Sequence, residues 1–305
     1  MFNLIAILGP TATGKTKLAA KLASEFNGEI ISADSRQVYR GMDIGTGKDL
    51  EDYIIEGEKV NYHLIDIVDP LGEFNLFLFK QYFNSAFKKI NQKNKLPFLV
   101  GGTGLYLSSI IQNYELPKVD FNDTRIKELY SKNLDELKTI FLELISNPHN
   151  TTDLTSKERI INAIAVAWSK SKKNNGKNEV PKINSLVIGI MPDRDEIKKK
   201  ITDRLIFRLH NGMIEEVENL IKNGMSFEKL DFFGLEYRYV GLYLQGKINY
   251  NDMFQKLNSS IHNFAKRQIT WFKKMEREGI QINWLRDPDF FEAKKIIEKY
   301  FPLNK

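Results

Sequence analysis

The sequence predicts an α/β fold in which a parallel β-sheet is flanked by helices, with an inserted helical subdomain and a helical C-terminal part. Short apolar runs rich in β-branched residues alternate with amphipathic stretches, a pattern typical of a parallel sheet covered on both faces. The five runs span residues 4–8, 29–32, 64–68, 97–100 and 186–190. Because four of them lie within the first 100 residues and the fifth comes much later, we predict an insertion between them.

The composition is that of an ordinary globular protein. Of the 305 residues, 42% are hydrophobic and 28% are charged, which excludes bulk disorder. The chain has no cysteine, which excludes disulfide scaffolds, thiolate metal sites and cysteine nucleophiles and agrees with a reducing compartment. No apolar run approaches the roughly 18 residues that a membrane span needs. We therefore expect a cytoplasmic protein with no membrane partner.

The domain organisation follows from the spacing of the apolar residues. Three- and four-residue spacings between positions 126 and 165 predict helices, so residues 116–182 are expected to form the inserted subdomain and residues 1–115 and 183–305 the core. A lysine-rich run at 170–182 predicts a mobile linker. The second part of the core should hold a long helix at 195–223 and, near its end, another whose apolar stripe is interrupted by Gln268.

The charge distribution favours a polyanionic partner. The formal net charge is +6, and residues 256–278 carry six basic side chains against two glutamates. Residues 170–182 add five lysines against one glutamate. Neither segment identifies the partner.

The first motif with a chemical role lies between the first predicted strand and an amphipathic helix. It matches G-x-x-x-x-G-K-[ST], the phosphate loop of P-loop NTPase-like folds, so the predicted sheet is of that type. Its backbone N–H groups would converge on phosphate oxygens, Lys15 would neutralise phosphate charge, and Thr16 would hold Mg²⁺. The motif does not say which phosphate compound binds. Its residues are Gly9, Pro10, Thr11, Ala12, Thr13, Gly14, Lys15 and Thr16.

Two further segments follow strands at the sheet edge where open α/β sheets bind ligands. Asp34 follows the second strand and could accept a proton or hold a metal-bound water, but a helix N-cap would also explain an aspartate there. Thr103, in the Gly-Gly-Thr-Gly run after the fourth strand, offers a hydroxyl at the same edge, and a simple turn before a helix is the alternative.

Arg204 and Arg208 are four residues apart on the predicted helix 195–223. This spacing places both guanidinium groups on one helix face, which suits them to grip a diphosphate. A solvated surface face is the alternative. The four histidines are scattered along the sequence and predict no metal site.

Taken together, these motifs resemble the bacterial tRNA dimethylallyltransferase family, also called tRNA isopentenyltransferases. The resemblance runs along nearly the whole chain and rests on four blocks, at residues 9–16, 34–46, 101–106 and 266–272. Many families share the first block. The second, DSRQVYRGMDIGT, and the fourth, KRQITWF, are far more specific.

The resemblance implies transfer of a dimethylallyl group from dimethylallyl diphosphate to N6 of the adenosine 3′-adjacent to the anticodon in tRNA. It implies that the phosphate loop holds the donor diphosphate with Mg²⁺ at Thr16, and that Asp34 is the general base. Arg204 or Arg208 would act on the leaving diphosphate. We expect a monomer that binds the anticodon stem-loop. The implied tRNA contacts are Asp34, Ser35, Arg36, Gln37, Thr103, Arg125, Arg159, Lys266, Arg267 and Gln268.

The chain departs from the family pattern in the insertion and before the last basic helix. The family usually has two arginines in a Q-R-x-x-R-A pattern, whereas this chain has Arg159 and Asn162. The Gly-Tyr motif of the family appears here as FGLEY at residues 233–237. These changes are expected to alter RNA preference.

Three other functions remain open on the sequence. An adenylate isopentenyltransferase would share the donor site but would not need the insertion or the basic C-terminal helix. A P-loop nucleotide kinase should carry several lid arginines for ATP, whereas residues 126–193 contain only Arg159. A non-catalytic RNA-binding protein would leave the phosphate loop and Asp34 unexplained.

Overall fold

The structure, a computed structural model, describes residues 1–116, 119, 123–144, 154, 156–171 and 182–301, with side chains to residue 169 in the fifth of these ranges. The chain divides into two compact units. The larger consists of Met1–Asn113 with Pro181–Lys305, and the smaller of Tyr114–Val180. Each unit has its own hydrophobic core.

The larger unit is built on a six-stranded sheet in which all paired strands are parallel. In chain order the strands are β1 (Leu4–Leu8), β2 (Gly28–Ser32), the hairpin pair β3 (Ile54–Ile55) and β4 (Glu58–Lys59), β5 (Tyr62–His63), β6 (Leu96–Gly101), β7 (Ser185–Ile190) and β8 (Ile282–Leu285). The sheet order is β5-β2-β6-β1-β7-β8, and β3 with β4 forms a separate antiparallel pair.

The helices cover both faces of this sheet. Side chains of β1 alternate, with Leu4, Ala6 and Leu8 in one core and Ile5 and Ile7 in the other. In chain order the α-helices of the described residues are α1 (Lys15–Glu25), α2 (Leu76–Gln92), α3 (Gly104–Ile111), α4 (Thr124–Leu129), α5 (Leu134–Leu144), α6 (Lys157–Ser171), α7 (Arg194–His210), α8 (Met213–Lys222), α9 (Phe227–Phe233), α10 (Leu235–Leu244), α11 (Tyr250–Arg277) and α12 (Phe290–Glu298). Helices α1 and α12 cover one face, whereas α2, α3, α7 and α11 cover the other.

The carboxyl ends of the four central strands meet at one edge of the sheet. Leu8 pairs with Gly101 on one side and Gly189 on the other, and Ser32 pairs with Val100. The loops that follow β1, β2, β6 and β7 therefore emerge side by side, which is the usual ligand-binding edge of such a sheet.

The smaller unit contains α4, α5 and α6, as the apolar spacing predicts. Its core is apolar and consists of Ile126, Leu129, Leu137, Phe141, Ile160, Ile161, Ile164 and Ala165. Most of the lysine-rich run predicted as a linker, residues 172–181, lies outside the described residues.

Two predictions about individual elements are wrong, and one strand was not predicted. The strand predicted at 64–68 lies instead at Tyr62–His63, because Leu64 and Asp66 have left-handed backbone conformations with φ of 65° and 55°. The helix predicted at 195–223 is two helices, because Gly212 between α7 and α8 has a φ of 98°. Strand β8, with four residues, was not predicted.

Within the described part of the chain, no helix combines the length and the apolar character that crossing a membrane would require.

Candidate active site

The phosphate loop joins β1 to α1 through left-handed turns. Gly14 and Ala12 have φ of 73° and 63°. Gly9 lies so close to β7 that a side chain there would come within 2.9 Å of the Ile190 carbonyl oxygen. Because α1 begins at Lys15, its first backbone N–H groups have no acceptors within the helix. The loop and this helix end therefore offer donors to an anion.

Three cationic side chains converge on the phosphate loop. Lys15 Nζ donates to the carbonyl oxygen of Pro10 at 3.1 Å, and Arg204 Nη2 donates to Thr11 Oγ1. One turn along α7, Arg208 is only 5% exposed, and its Nη2 has no hydrogen-bond partner among the described residues. The two arginines thus face the site, and the alternative of a solvated surface face does not hold for them.

Burial and neighbouring positive charges lower the pKa values of Lys15 and Arg204. Burial, followed by the charges of Arg204 and Arg208, lowers the pKa of Lys15 to about 8, while Asp34 and Asp49 oppose the shift. Burial and the charge of Arg208 lower the pKa of Arg204 to about 10. A bound polyanion would stabilise the charged forms of all three side chains. The cluster is therefore suited to bind a compound such as a diphosphate.

We expect the affinity for inorganic diphosphate to fall roughly tenfold between about pH 7 and pH 9. Since the pKa of Lys15 in the free protein is about 8, the lysine is mostly protonated at the lower pH and mostly neutral at the higher one. The anion prefers the protonated form, so binding above the pKa requires proton uptake. Calorimetric titration over this range measures the effect.

The control for this pH dependence is Lys15→Met, which keeps an unbranched side chain without the charge. Its diphosphate affinity should be lower, and it should lack the decline that Lys15 adds in wild type, because the titrating lysine is gone. An equal decline in wild type and variant would assign the titration to another group and contradict the lowered pKa of Lys15.

Asp34 lies at the same sheet edge, directly after β2. Its Oδ1 accepts hydrogen bonds from the backbone N–H groups of Arg36, at 2.9 Å, and Gln37, at 3.4 Å. No helix begins here, so these bonds close a turn and the helix N-cap alternative is wrong. The other carboxylate oxygen makes no hydrogen bond with the described residues, so it remains able to accept a proton.

The segment after Asp34 is held by the loops around it. The backbone N–H of Ser35 donates to Thr103 Oγ1 at 3.2 Å, and Gln37 Nε2 donates to the carbonyl oxygen of Gly47 at 2.9 Å. Thr103 occupies the N-cap position of α3 but makes no side-chain cap bond, and its hydroxyl accepts the Ser35 N–H instead. The structure therefore brings the residues predicted after the second and fourth strands together.

A loop at residues 43–47, most of which belongs to the second resemblance block, supports the site. The carboxylate of Glu216, on α8, accepts three backbone N–H groups of this loop and the hydroxyl of Tyr237, at 2.8 Å. The three N–H donors are those of Asp43, Ile44 and Gly45, at 2.8, 2.7 and 3.0 Å. One long-range carboxylate thus fixes the loop, and only its glycines could have suggested a special conformation.

Gly47, at the end of this loop, packs directly on Arg208. Its φ is 68°, and any side chain there would overlap the guanidinium group. Glu236, on α10, is another acidic residue near the two arginines, and it was not identified from the sequence. Burial raises its pKa, whereas the positive charges of Arg208 and Arg204 act in the opposite direction. Both residues are distant from the arginines in sequence, so no local pattern marks them.

The residues predicted to contact tRNA lie in both units. In the larger unit, Lys266 and Arg267 are exposed on α11, whereas Gln268 is only 7% exposed. In the smaller unit, Arg125 pairs with Asp123 at 2.7 Å, and Arg159 is exposed on α6. Gln268 is therefore buried, whereas the two basic residues before it are exposed.

The fold is of the P-loop class, and the site is suited to bind a phosphorylated compound beside a carboxylate. Residues 37–275 match a family model described as IPP transferase, and residues 2–67 match one described as isopentenyl transferase. The chain belongs to the IPP transferase family.

Curated relatives agree with this membership over the full length of the chain. The chain is 49% identical to tRNA dimethylallyltransferase 1 of Syntrophus aciditrophicus, covering 98% of each chain. It is also 49% identical to tRNA dimethylallyltransferase 2 of Trichlorobacter lovleyi, covering 98% of this chain and 97% of the relative.

Solved structures have the same fold. The tRNA isopentenylpyrophosphate transferase of Bacillus halodurans superposes with a TM-score of 0.70 at 30% identity, covering 98% of this chain and 95% of that one. A eukaryotic dimethylallyltransferase acting on tRNA superposes with a TM-score of 0.74 at 22% identity, covering 99% of this chain and 77% of that one.

Proposed function

We propose that this chain transfers the dimethylallyl group of dimethylallyl diphosphate to N6 of the adenosine 3′-adjacent to the anticodon in tRNA, releasing diphosphate. The observation that carries the proposal is the convergence of Lys15, Arg204 and Arg208 on the phosphate loop, with Asp34 at the same sheet edge. Relatives named tRNA dimethylallyltransferase along almost the whole chain support it.

The cationic cluster acts on the donor. Breaking the allylic C–O bond leaves negative charge on the diphosphate, and preorganised cations and backbone N–H groups stabilise that charge as it develops. Arg208 is the side chain best placed for this role, because its Nη2 is buried without a hydrogen-bond partner among the described residues. Arg204 instead bonds to Thr11 of the loop and positions it.

The residues present fit a magnesium ion at the start of α1. The hydroxyl of Thr16 makes no hydrogen bond with the described residues, and Mg²⁺ prefers oxygen ligands that include substrate phosphates. Among the described residues, no group of three acidic or histidine side chains could hold a metal ion by itself. When bound, the ion would add positive charge against the diphosphate.

Asp34 and its neighbours act on the acceptor. The exocyclic amine of adenosine is weakly nucleophilic, so it needs close placement and a carboxylate that accepts its proton. The oxygen of Asp34 that lies outside the turn hydrogen bonds can take that proton. Ser35, Arg36, Gln37 and Thr103 would contact the adenosine, which must leave the anticodon-loop stack to reach them.

The basic face of α11 is proposed to bind the RNA backbone. Lys266, Arg267, Lys273 and Arg277 are all exposed on this helix. Arg125 and Arg159 of the smaller unit are proposed to contact other parts of the RNA. We further propose a cytoplasmic monomer, as expected from the sequence.

Replacing both Lys266 and Arg267 by Gln should reduce the salt dependence of tRNA binding. Each lost phosphate contact lowers the slope of log K against log salt by roughly one unit. Filter-binding titrations at several salt concentrations measure the slope. The matched control replaces Lys88 and Lys89, two adjacent exposed lysines on α2, and should leave the slope unchanged. Equal slopes for all three proteins would show that Lys266 and Arg267 of α11 do not contact RNA phosphates.

The acceptor distinguishes the proposed function from its alternatives. With labelled dimethylallyl diphosphate and Mg²⁺, label should enter tRNA that lacks the modification and should not enter AMP. Label in AMP alone would favour an adenylate isopentenyltransferase. Thermal protection by ATP but not by dimethylallyl diphosphate would favour a nucleotide kinase.

A further inference from the structure

Gln268 is a buried polar residue on an otherwise apolar helix face. It is 7% exposed and lies on α11 among side chains that pack into the core of the larger unit. A buried amide is costly unless both its oxygen and its nitrogen find partners. The apolar neighbours on this face are Leu257, Ile261, Ala265, Phe272 and Met275.

The amide of Gln268 joins two loops of the candidate active site. Its Oε1 accepts the backbone N–H of Thr11 at 2.9 Å, and its Nε2 donates to the carbonyl oxygen of Gly102 at 2.8 Å. A side chain at Gly102 would overlap Nε2, so the glycine permits this close approach. One side chain thus ties the phosphate loop to the loop that carries Thr103.

The next turn of α11 is also fixed to the site. Trp271 packs on Gly104, where any side chain would overlap the indole ring, and its Nε1–H donates to Ser108 Oγ at 2.7 Å. Thr11 is held from two directions, since Gln268 bonds its backbone and Arg204 bonds its hydroxyl. A movement of α11 would therefore move the phosphate loop.

Lys266 and Arg267 directly precede Gln268 on α11, and their side chains are exposed to solvent. We propose that Gln268 is a positioning residue of the prenyl-donor site that couples RNA binding on the exposed face of α11 to diphosphate binding in the phosphate loop. This inference rests on the proposed function for the identity of the two ligands. It reassigns Gln268 from RNA contact to the donor site.

The test compares Gln268→Met with wild type. Methionine keeps the length and helix preference of glutamine and leaves the Thr11 N–H and the Gly102 carbonyl without their partner. Affinity for inorganic diphosphate, measured by calorimetry without RNA, should fall by on the order of tenfold. Affinity for tRNA alone should stay within about twofold. The matched control is Gln255→Ala, an exposed glutamine on the same helix, which should change neither affinity.

A second variant separates the two hydrogen bonds. In Gln268→Glu, a carboxylate can still accept from Thr11 but cannot donate to Gly102, and it adds negative charge beside the bound anion. Its diphosphate affinity should fall further than that of Gln268→Met. Circular dichroism establishes that each variant is folded before binding is measured.

Coupling is measured as the ratio of diphosphate affinities with and without saturating tRNA. By linkage, the same factor describes the effect of diphosphate on tRNA affinity. Wild type should show a factor clearly different from one, and Gln268→Met should bring it close to one. A wild-type factor of one would overturn the coupling.

If Gln268→Met lost tRNA affinity and kept its diphosphate affinity, the positioning role would be overturned. Gln268 would then be a direct RNA contact. Failure of the proposed function gives a different result. Wild type would then transfer no label to tRNA, while Gln268→Met would still lose affinity for inorganic diphosphate.

Discussion

Replacement of Asp34 by Asn is expected to lower turnover by on the order of 10²–10⁴ and to leave tRNA affinity within about twofold. The amide oxygen of Asn can accept the same two backbone hydrogen bonds, from Arg36 and Gln37, so the turn is preserved. The second carboxylate oxygen becomes an amide nitrogen, which cannot accept a proton from the amine. Single-turnover rates with labelled donor and tRNA measure the loss.

The matched control for Asp34 is Asp203→Asn, an exposed aspartate on α7 next to Arg204. It makes the same change of charge near the cationic cluster without touching the proposed base, and its turnover should be close to wild type. Near-normal turnover of Asp34→Asn would exclude Asp34 as the general base.

Replacement of Arg208 by Met is expected to lower kcat by on the order of 10²–10³. The Nη2 of this buried guanidinium group has no hydrogen-bond partner among the described residues and lies 4.0 Å from Asp49 Oδ2, and the group shares the site with Lys15 and Arg204. This nitrogen therefore remains able to donate to the diphosphate as negative charge develops there. Methionine keeps much of the apolar volume and removes the charge.

A measurement of stability separates this functional role from a structural one. Because Arg208 is buried among like charges, Arg208→Met should keep or raise the thermal midpoint while activity falls. Arg194→Met, at the exposed start of the same helix, is the control and should change neither. A large drop in the midpoint of Arg208→Met would instead assign the arginine to the fold.

The central sheet could be predicted from sequence because buried parallel strands form short apolar runs between helices. Strands β1, β2, β6 and β7 follow that rule. The two-residue edge strand Tyr62–His63 does not, because its two side chains are only partly buried and both carry polar groups. The break at Gly212 was missed because the apolar periodicity continues through α8 while only the backbone changes direction.

The candidate site was predictable where its residues are close in sequence. The phosphate loop has a local motif, and Arg204 and Arg208 share a helix face through their spacing. Glu216 and Gly47 support the site over long sequence distances, so only the fold brings them to it. The family resemblance implied an RNA contact for Gln268, and its burial depends on how α11 packs, which the sequence does not show.

The most direct test of the proposed function is the position of the prenyl group in the product. Unmodified tRNA is incubated with deuterium-labelled dimethylallyl diphosphate, digested with a nuclease and analysed by mass spectrometry. The proposed function predicts the label on N6 of one adenosine, the nucleotide 3′-adjacent to the anticodon. Label at other positions of the tRNA, or in AMP and not in tRNA, would contradict it.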